Sequence, residues 1–165
     1  MFDRRQKINL VCALVCAGML GYAIYSEKYL GFVPCPLCMF QRVCIGALGI
    51  VFLLAALHPA RRVGSLIYGV LVVIAAGAAT WVAGRHVWVQ AQPHGTVPAC
   101  GAPLDTLVDM FPMMEVIRKV MTGGGECGVI DWTLLGISMP GWVLISAVAM
   151  GIAGVLNNIV YPARR

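Results

Sequence analysis

Four long apolar stretches constrain the fold of this 165-residue chain more than any other feature. They cover residues 8–25, 39–57, 63–84 and 141–160, and charged side chains fall only near their ends. Each approaches the ~20 residues that a helix needs to cross a bilayer. The chain is 60% hydrophobic and only 12% charged, whereas an ordinary soluble domain carries about 25% charged residues. We therefore predict that all four stretches span a membrane.

The predicted fold is an all-α membrane protein in which four transmembrane helices form one bundle over residues 1–165. Two loops, at 26–38 and 85–140, then lie on the same side of the membrane. Gly and Ala are frequent in the third span, and such small residues let helices approach closely in lipid. A signal peptide would also begin with a basic head and an apolar run. The first run is long, however, and no small-x-small cleavage site follows it, so we predict that it is retained.

Most of the Lys and Arg residues lie at the amino-terminal head, in the turn at 58–62 and at the carboxyl terminus. The positive-inside rule places these three segments in the cytoplasm and directs the two loops outward. The net charge of +5 is scattered over the ends of the apolar runs and forms no basic stripe. Membrane lipid is therefore a predicted partner, and nucleic acid is not.

A C-x-x-C pair, Cys35 and Cys38, directly precedes the second span. Pro36 suits the first turn of a helix, where a missing N–H costs nothing, so Cys35 should lie near the N-cap and Cys38 in the first turn. The positive end of the helix dipole favours thiolates there, and Arg42, four residues after Cys38, adds to that bias. These features favour a redox pair over a structural disulfide, because so short a loop gains little from a bond.

Two further cysteines, Cys100 and Cys127, lie in the second outward loop. Cys127 closely follows three glycines at 123–125, a placement that suits accessible sulfurs and thiol exchange with a partner. A loop-stapling disulfide is the alternative. Electrons leaving such a relay need an acceptor, and Met39 in place of His after the C-x-x-C excludes covalent c-type haem. The chain also has no room for the nucleotide fold of a soluble dehydrogenase. At a helix end in lipid the favoured acceptor is itself lipid-soluble, such as a quinone, which the spacing of the cysteines alone does not show.

A different class of function is a membrane metal protein with Cys35, Cys38, Cys100 and Cys127 as thiolate ligands. Zinc ribbons usually pair two C-x-x-C knuckles, and the second knuckle is missing here, so no metal is predicted. The remaining cysteines lie inside apolar runs and are interpreted as small packing residues: Cys12, Cys16 and Cys44.

Residues 104–121 show apolar side chains at helical spacing, with Pro112 interrupting the pattern. A kinked helix or two short helices should result. Such an amphipathic segment between two spans is predicted to lie on the membrane surface, and packing on the protein itself is the alternative.

The cysteine motifs resemble those of the disulfide bond formation protein B (DsbB) family, the quinone-linked thiol oxidases of bacterial inner membranes. The resemblance covers nearly the whole chain. Its two motifs are Pro34-Cys35-Pro36-Leu37-Cys38 with Gln41-Arg42, and Cys127 followed by Trp132, Leu135-Gly136, Met139-Pro140 and Trp142. A four-helix relative of the vitamin K epoxide reductases is disfavoured, because there the C-x-x-C is expected near the end of the bundle.

The resemblance implies a role for each cysteine. Cys100 would form a mixed disulfide with a periplasmic thioredoxin-fold oxidase of the DsbA kind, and Cys127 would be its disulfide partner. Cys35 would exchange with this loop pair. Cys38 would face a membrane quinone, ubiquinone or menaquinone, as a thiolate.

The resemblance also implies a cofactor-binding set. Arg42 would help to bind the quinone and stabilise negative charge. His86, just past the third predicted span, and Gln90, four residues further on, match family positions near the quinone. A histidine at the end of a span is otherwise an interfacial or capping residue. Both termini would be cytoplasmic and the two active loops periplasmic.

Overall fold

The computed structural model describes residues 3–58, 62–93, 104–122, 125–128, 130 and 132–160. Its four long helices are α1 (Arg4–Tyr29), α2 (Pro36–Leu57), α3 (Arg62–Gln90) and α6 (Met139–Val155), which continues into a π-helical turn (Leu156–Val160). The shorter elements are α4 (Leu104–Met110), α5 (Met113–Thr122), a 3₁₀ helix (Gly125–Gly128), β1 (Thr133–Leu134) and β2 (Ile137–Ser138). The four long helices are apolar enough to cross a membrane, which confirms the predicted four-helix membrane fold.

The long helices pack in sequence order, α1 on α2, α2 on α3 and α3 on α6. Leu48, Phe52 and Val72 are fully buried at the centre of the bundle. Gly154 of α6 lies directly against Val72 and Phe52, where any added side chain would overlap with them. Cys16 is also buried, and its sulfur lies 3.4 Å from that of Met150. The bundle is therefore close-packed through small and polarisable side chains, as lipid-embedded helices require.

A buried polar cluster joins α1 to the π-helical turn near the chain termini. Asn9 and Asn158 exchange two side-chain hydrogen bonds, each of 3.1 Å. Asn157 donates to the Asn9 side chain, and Ser65 of α3 donates to the Asn158 backbone carbonyl at 2.7 Å. All three asparagines are buried, so their side-chain amides must be satisfied within the chain. The cluster ties the first and last spans together.

The amino terminus of α2 begins at the C-x-x-C motif, as predicted. Cys35 is the N-cap residue, and its sulfur accepts a hydrogen bond from the Cys38 backbone N–H at 3.4 Å. Pro36 occupies the first turn, where its fixed φ suits a helix and its missing N–H costs nothing. The local sequence therefore holds both sulfurs at the start of α2. We call the end of the bundle at which α2 begins its mouth.

The third long helix extends beyond its predicted boundary. Hydropathy falls at Arg85, so residues 85–90 were expected to open the outward loop, but α3 continues as a regular helix to Gln90. No helix breaker occurs before Pro93, and the helical backbone continues past the apolar segment. His86 and Gln90 therefore stand one turn apart on a rigid helix.

The described part of the second cysteine-bearing loop packs against the end of the bundle at which α2 begins. Two short helices, α4 and α5, replace a continuous helix because Pro112 interrupts it. Val116 and Val120 of α5 are buried in the same apolar cluster as Cys35 and Cys127, whereas Met114 is 78% exposed. The apolar side of α5 therefore packs on the protein itself. This is the alternative to the predicted position on the membrane surface.

A short β-hairpin, in which β1 and β2 have two residues each, leads into α6. It was not predicted from the sequence. Leu135 and Gly136 form its turn with φ values of 55° and 78°. Both central residues of a type I′ turn need positive φ, which glycine adopts freely and leucine does not. A hydrogen bond of 3.2 Å from Trp142 Nε1 to the Leu134 carbonyl joins the hairpin to α6.

Candidate active site

The two sulfurs of the C-x-x-C motif lie together at the start of α2. Cys35 Sγ and Cys38 Sγ are 3.2 Å apart, a hydrogen-bonding rather than a covalent distance. Cys35 is only 6% exposed, and Leu37 between the two is fully buried. Hydrogen bonds with Cys127 and Cys38, together with burial, raise the pKa of the Cys35 thiol. These contacts favour the thiol over the thiolate at Cys35.

A third sulfur approaches this pair from the second outward loop. The 3₁₀ helix places Cys127 so that its sulfur, the sulfur of Cys35 and a ring nitrogen of His86 all lie within 4.8 Å of one another. Cys127 is 1% exposed. The fourth cysteine of the predicted relay, Cys100, lies outside the described residues, so its pairing with Cys127 stays a prediction.

His86 joins the two cysteine elements through both of its ring nitrogens. Its Nε2 lies 3.2 Å from the Cys127 backbone carbonyl oxygen and 3.7 Å from Cys35 Sγ. Its Nδ1 lies 2.9 Å from Gln41 Nε2. A carbonyl oxygen only accepts hydrogen bonds, so Nε2 carries the proton and Nδ1 accepts from the Gln41 amide. The imidazole N–H thus faces the Cys127 carbonyl oxygen, and Cys35 Sγ lies next to it.

Arg42 lies next to this centre but is anchored to α1. Its guanidinium forms an ion pair with Glu27 and donates to the Ala23 carbonyl at 3.0 Å. A weaker contact of 3.7 Å reaches the sulfur of Met39. Within the described part of the chain, none of its hydrogen bonds reaches Cys38. The predicted influence of Arg42 on that sulfur would therefore act through space rather than by direct contact.

One cavity connects the predicted cofactor-binding residues to the C-x-x-C motif. Its volume is about 110 Å³, and it opens at the surface. Its polar end is lined by Cys35, Cys38, Gln41, Arg42, His86 and Gln90. Apolar side chains form much of the remaining wall: Met19, Leu20, Phe32, Ile45, Met139 and Val143. Its chemistry fits a flat apolar molecule that carries hydrogen-bond acceptors.

Gln90 reaches this cavity from the last turn of α3. Its side-chain oxygen accepts a 2.7 Å hydrogen bond from Ser138 Oγ, and Ser138 is the N-cap residue of α6. This bond ties the ends of α3 and α6 together and leaves the Gln90 amide nitrogen available for other acceptors. The structure thus brings Arg42, His86 and Gln90 to a single cavity with Cys38.

Two residues of this site have no role in the sequence prediction. Gln41 is 5% exposed and hydrogen-bonds His86, and Glu27 neutralises Arg42. The sequence does carry a signal for Gln41, since it lies three residues after Cys38 and so shares its helical face. Glu27 comes from another helix, and no local pattern indicates that contact.

The fold and the site together define a multi-pass membrane protein with a thiol–disulfide centre at the mouth of a helical bundle. A family model described as Disulfide bond formation protein DsbB matches residues 4–157. A Disulfide bond formation protein B from Xanthomonas axonopodis pv. citri is 49% identical over 140 residues, 84% of this chain and 81% of that protein. One from Xylella fastidiosa is 46% identical over 153 residues, covering 92% and 88%.

The chain belongs to the DsbB family of disulfide bond formation proteins. It is accordingly a membrane thiol oxidase, and the predicted family is confirmed.

Proposed function

We propose that this chain reoxidises a periplasmic thioredoxin-fold dithiol of the DsbA kind and passes the electrons through two cysteine pairs to a membrane quinone. The observation that carries the proposal is the position of the Cys127 sulfur beside Cys35. Thiol exchange needs an attacking sulfur in contact with the sulfur that it attacks. The Cys127 and Cys35 sulfurs lie within 4.8 Å of each other, so a small movement of the loop would bring them into contact without rearrangement of the long helices.

In the first exchange, a thiolate of the partner attacks Cys100. The Cys100–Cys127 bond breaks, a bond forms between the partner and Cys100, and Cys127 leaves as a thiolate. In the second exchange, Cys127 attacks Cys35 within an oxidised C-x-x-C pair, and Cys38 leaves as a thiolate. The partner's second thiolate then attacks the partner–Cys100 bond, which forms the partner's disulfide and releases Cys100 as a thiolate. Cys100 attacks Cys127 in the Cys127–Cys35 bond, which restores the Cys100–Cys127 disulfide and releases Cys35. The partner loses two electrons, and the Cys35–Cys38 pair gains them.

His86 serves these exchanges as a hydrogen-bond donor. Its Nε2–H lies 3.7 Å from Cys35 Sγ, so it can donate to the negative charge that develops when Cys35 is displaced. Charge-assisted hydrogen bonds are about twice as strong as neutral ones. Gln41 holds the ring in the tautomer that this donation requires.

A bound quinone would supply a two-electron acceptor in place of a soluble cofactor. The cavity at Cys38 supports this assignment, since Arg42 and Gln90 present N–H donors beside apolar walls. Arg42 would donate to a carbonyl oxygen, and its charge would stabilise negative charge at that end of the cavity. Ubiquinone and menaquinone share this chemistry.

The membrane orientation is part of the proposal. The positive-inside rule places both termini in the cytoplasm and the cysteine-bearing loops in the periplasm of a bacterial inner membrane, where disulfides persist. A maleimide that cannot cross the membrane should label a Lys28→Cys variant from outside in spheroplasts and leave an Arg164→Cys variant unlabelled. The reverse pattern would overturn the orientation.

Turnover tests the function directly. The full chain is reconstituted with a quinone, a reduced thioredoxin-fold partner is added, and quinone reduction is followed by absorbance. Cys38→Ser and Cys100→Ser should each abolish turnover, whereas Cys12→Ser and Cys44→Ser, which remove sulfurs inside the spans, should retain it. Quinone reduction that persists in Cys38→Ser would refute the proposed route.

A further inference from the structure

Three metal-ligating side chains converge at the mouth of the bundle. The sulfurs of Cys35 and Cys127 and a ring nitrogen of His86 lie within 4.8 Å of one another, and the Cys35 Sγ to His86 Nε2 distance is 3.7 Å. Around a tetrahedral zinc ion, a sulfur at about 2.3 Å and a nitrogen at about 2.0 Å are separated by about 3.5 Å. The observed pair already has this spacing.

We propose that the reduced protein binds one thiophilic divalent cation, of the zinc class, through Cys35, Cys127 and His86. No separation among the three ligand atoms exceeds 4.8 Å, so the sulfur–sulfur pair would have to contract by at most about 1 Å to reach the spacing of about 3.8 Å expected around zinc. Cys38 Sγ, 3.2 Å from Cys35 Sγ, is available as a fourth ligand. The cavity that Cys35, Cys38 and His86 line gives the ion a path to the site.

The charge balance of the site favours a divalent cation. The three ligands are at most 6% exposed, and an uncompensated charge at such a place is costly. Two thiols lose their protons on binding, so the cation, two thiolates and a neutral imidazole sum to zero charge. A hard cation such as Mg²⁺ prefers oxygen ligands and has none in this set.

Gln41 provides the supporting hydrogen bond that such a site needs. The ring must release Nε2–H to bind the ion and carry its proton on Nδ1 instead. Gln41 now donates to Nδ1 at 2.9 Å. Reversal of its terminal amide would present the oxygen as an acceptor for Nδ1–H, because an amide offers both groups. Ligating histidines are almost always held by a hydrogen bond of this kind.

The proposed site exists only in the reduced protein. A disulfide at Cys35 or Cys127 consumes a ligand, and a bound ion in turn withholds both sulfurs from exchange. Metal binding would therefore block thiol oxidation while the C-x-x-C pair is reduced. The inference needs neither quinone nor partner protein, so its test is independent of the proposed function.

The test uses the detergent-solubilised full chain, reduced and freed of reductant under anaerobic conditions. Zn²⁺ affinity is measured by competition with a chromophoric chelator, and Cd²⁺ binding by its thiolate-to-metal ultraviolet absorption. One ion per reduced chain is expected, with no binding after oxidation of the cysteines. Binding that is equal in both redox states, or absent from both, would overturn the proposal.

Variants identify the ligands. Cys127→Ser and His86→Gln should each weaken Zn²⁺ binding by at least about 100-fold, and Gln41→Leu should weaken it by about 10–100-fold, as other outer hydrogen bonds do. Cys44→Ser and Cys100→Ser should bind as the unmodified chain does. If Cys100→Ser loses the ion and His86→Gln keeps it, a four-thiolate site replaces the one proposed. Thermal unfolding of each variant shows whether it is folded. The comparison of the reduced with the oxidised unmodified chain tests the proposal without any variant.

Discussion

Gln41 Nε2 lies 2.9 Å from His86 Nδ1, across the interface between α2 and α3. Both side chains are almost fully buried. Because Nε2 of the same ring faces the Cys127 carbonyl oxygen, which can only accept, Nε2 carries the proton and Gln41 donates to Nδ1. The contact links the helix that carries the C-x-x-C motif to the helix that carries the imidazole, and through the imidazole to the second loop.

Gln41→Leu should slow the exchange between Cys127 and Cys35 by about ten-fold, because His86 then loses the partner that orients its Nε2–H. The buried Nδ1 would also lack a donor, which costs about 1–3 kcal/mol of stability. Rapid-quench alkylation followed by mass spectrometry measures the exchange, and thermal unfolding measures the stability.

Gln92→Leu is the matched control, because Gln92 lies just past the end of α3 and its side chain, among the described residues, hydrogen-bonds only the Trp88 carbonyl. It should leave the exchange rate unchanged. Equal exchange rates in Gln41→Leu and the unmodified chain would show that His86 needs no fixed tautomer.

Arg42→Ala should raise the KM for quinone by about 10–100-fold, the value of a hydrogen bond to a charged group. Exchange between Cys100 and the partner should stay intact, since that step precedes the cavity. Steady-state quinone reduction and single-turnover partner oxidation separate the two effects. Arg85→Ala, which removes an arginine near the carboxyl end of α3 that is outside the cavity lining, is the control, and equal loss of both steps would contradict the role of Arg42.

Asn158→Ala should destabilise the bundle by about 0.6–1.7 kcal/mol, as measured for hydrogen bonds between membrane helices. The variant removes both hydrogen bonds to the Asn9 side chain. The cluster lies at the opposite end of the bundle from the cysteines, so turnover of the folded fraction should not change. Thermal unfolding in detergent and quinone reduction measure the two, and a specific loss of activity at unchanged stability would contradict a purely structural role.

Leu135→Asn should stabilise the hairpin by about 1 kcal/mol, because asparagine tolerates the left-handed backbone that leucine adopts there at a cost of about 1–2 kcal/mol. Leu135 is 85% exposed and contributes little packing within the chain. Leu134→Asn, which changes an exposed strand residue without positive φ, should give no such gain. A lower unfolding temperature for Leu135→Asn would indicate that the leucine side chain contacts lipid.

Much of this architecture follows from local sequence. The four spans follow from hydropathy, and the start of α2 at Cys35 follows from the proline after it. Pro112 separates α4 from α5 for the same local reason. These features depend on interactions between residues that are close together in the sequence.

The contacts of the site depend instead on how the helices pack. The hydropathy pattern ends the third span before Arg85, but α3 continues to Gln90. Hydropathy marks only the apolar segment, and a helix can continue beyond it. Glu27 meets Arg42 only because α1 packs beside α2. The proximity of Cys127 to Cys35 likewise requires the second loop to pack on the bundle mouth, and no spacing in the sequence predicts it.

The most direct test of the proposed relay is to trap its central disulfide. In a Cys38→Ser/Cys100→Ser double variant, Cys35 and Cys127 lose their other proposed partners while their sulfurs remain within 4.8 Å. Mild oxidation in detergent, followed by peptide mass spectrometry, should show a Cys35–Cys127 disulfide in most of the chains. If Cys35 and Cys127 stay unlinked under conditions that oxidise the two native pairs, the direct transfer of electrons between the loop and the C-x-x-C motif is contradicted.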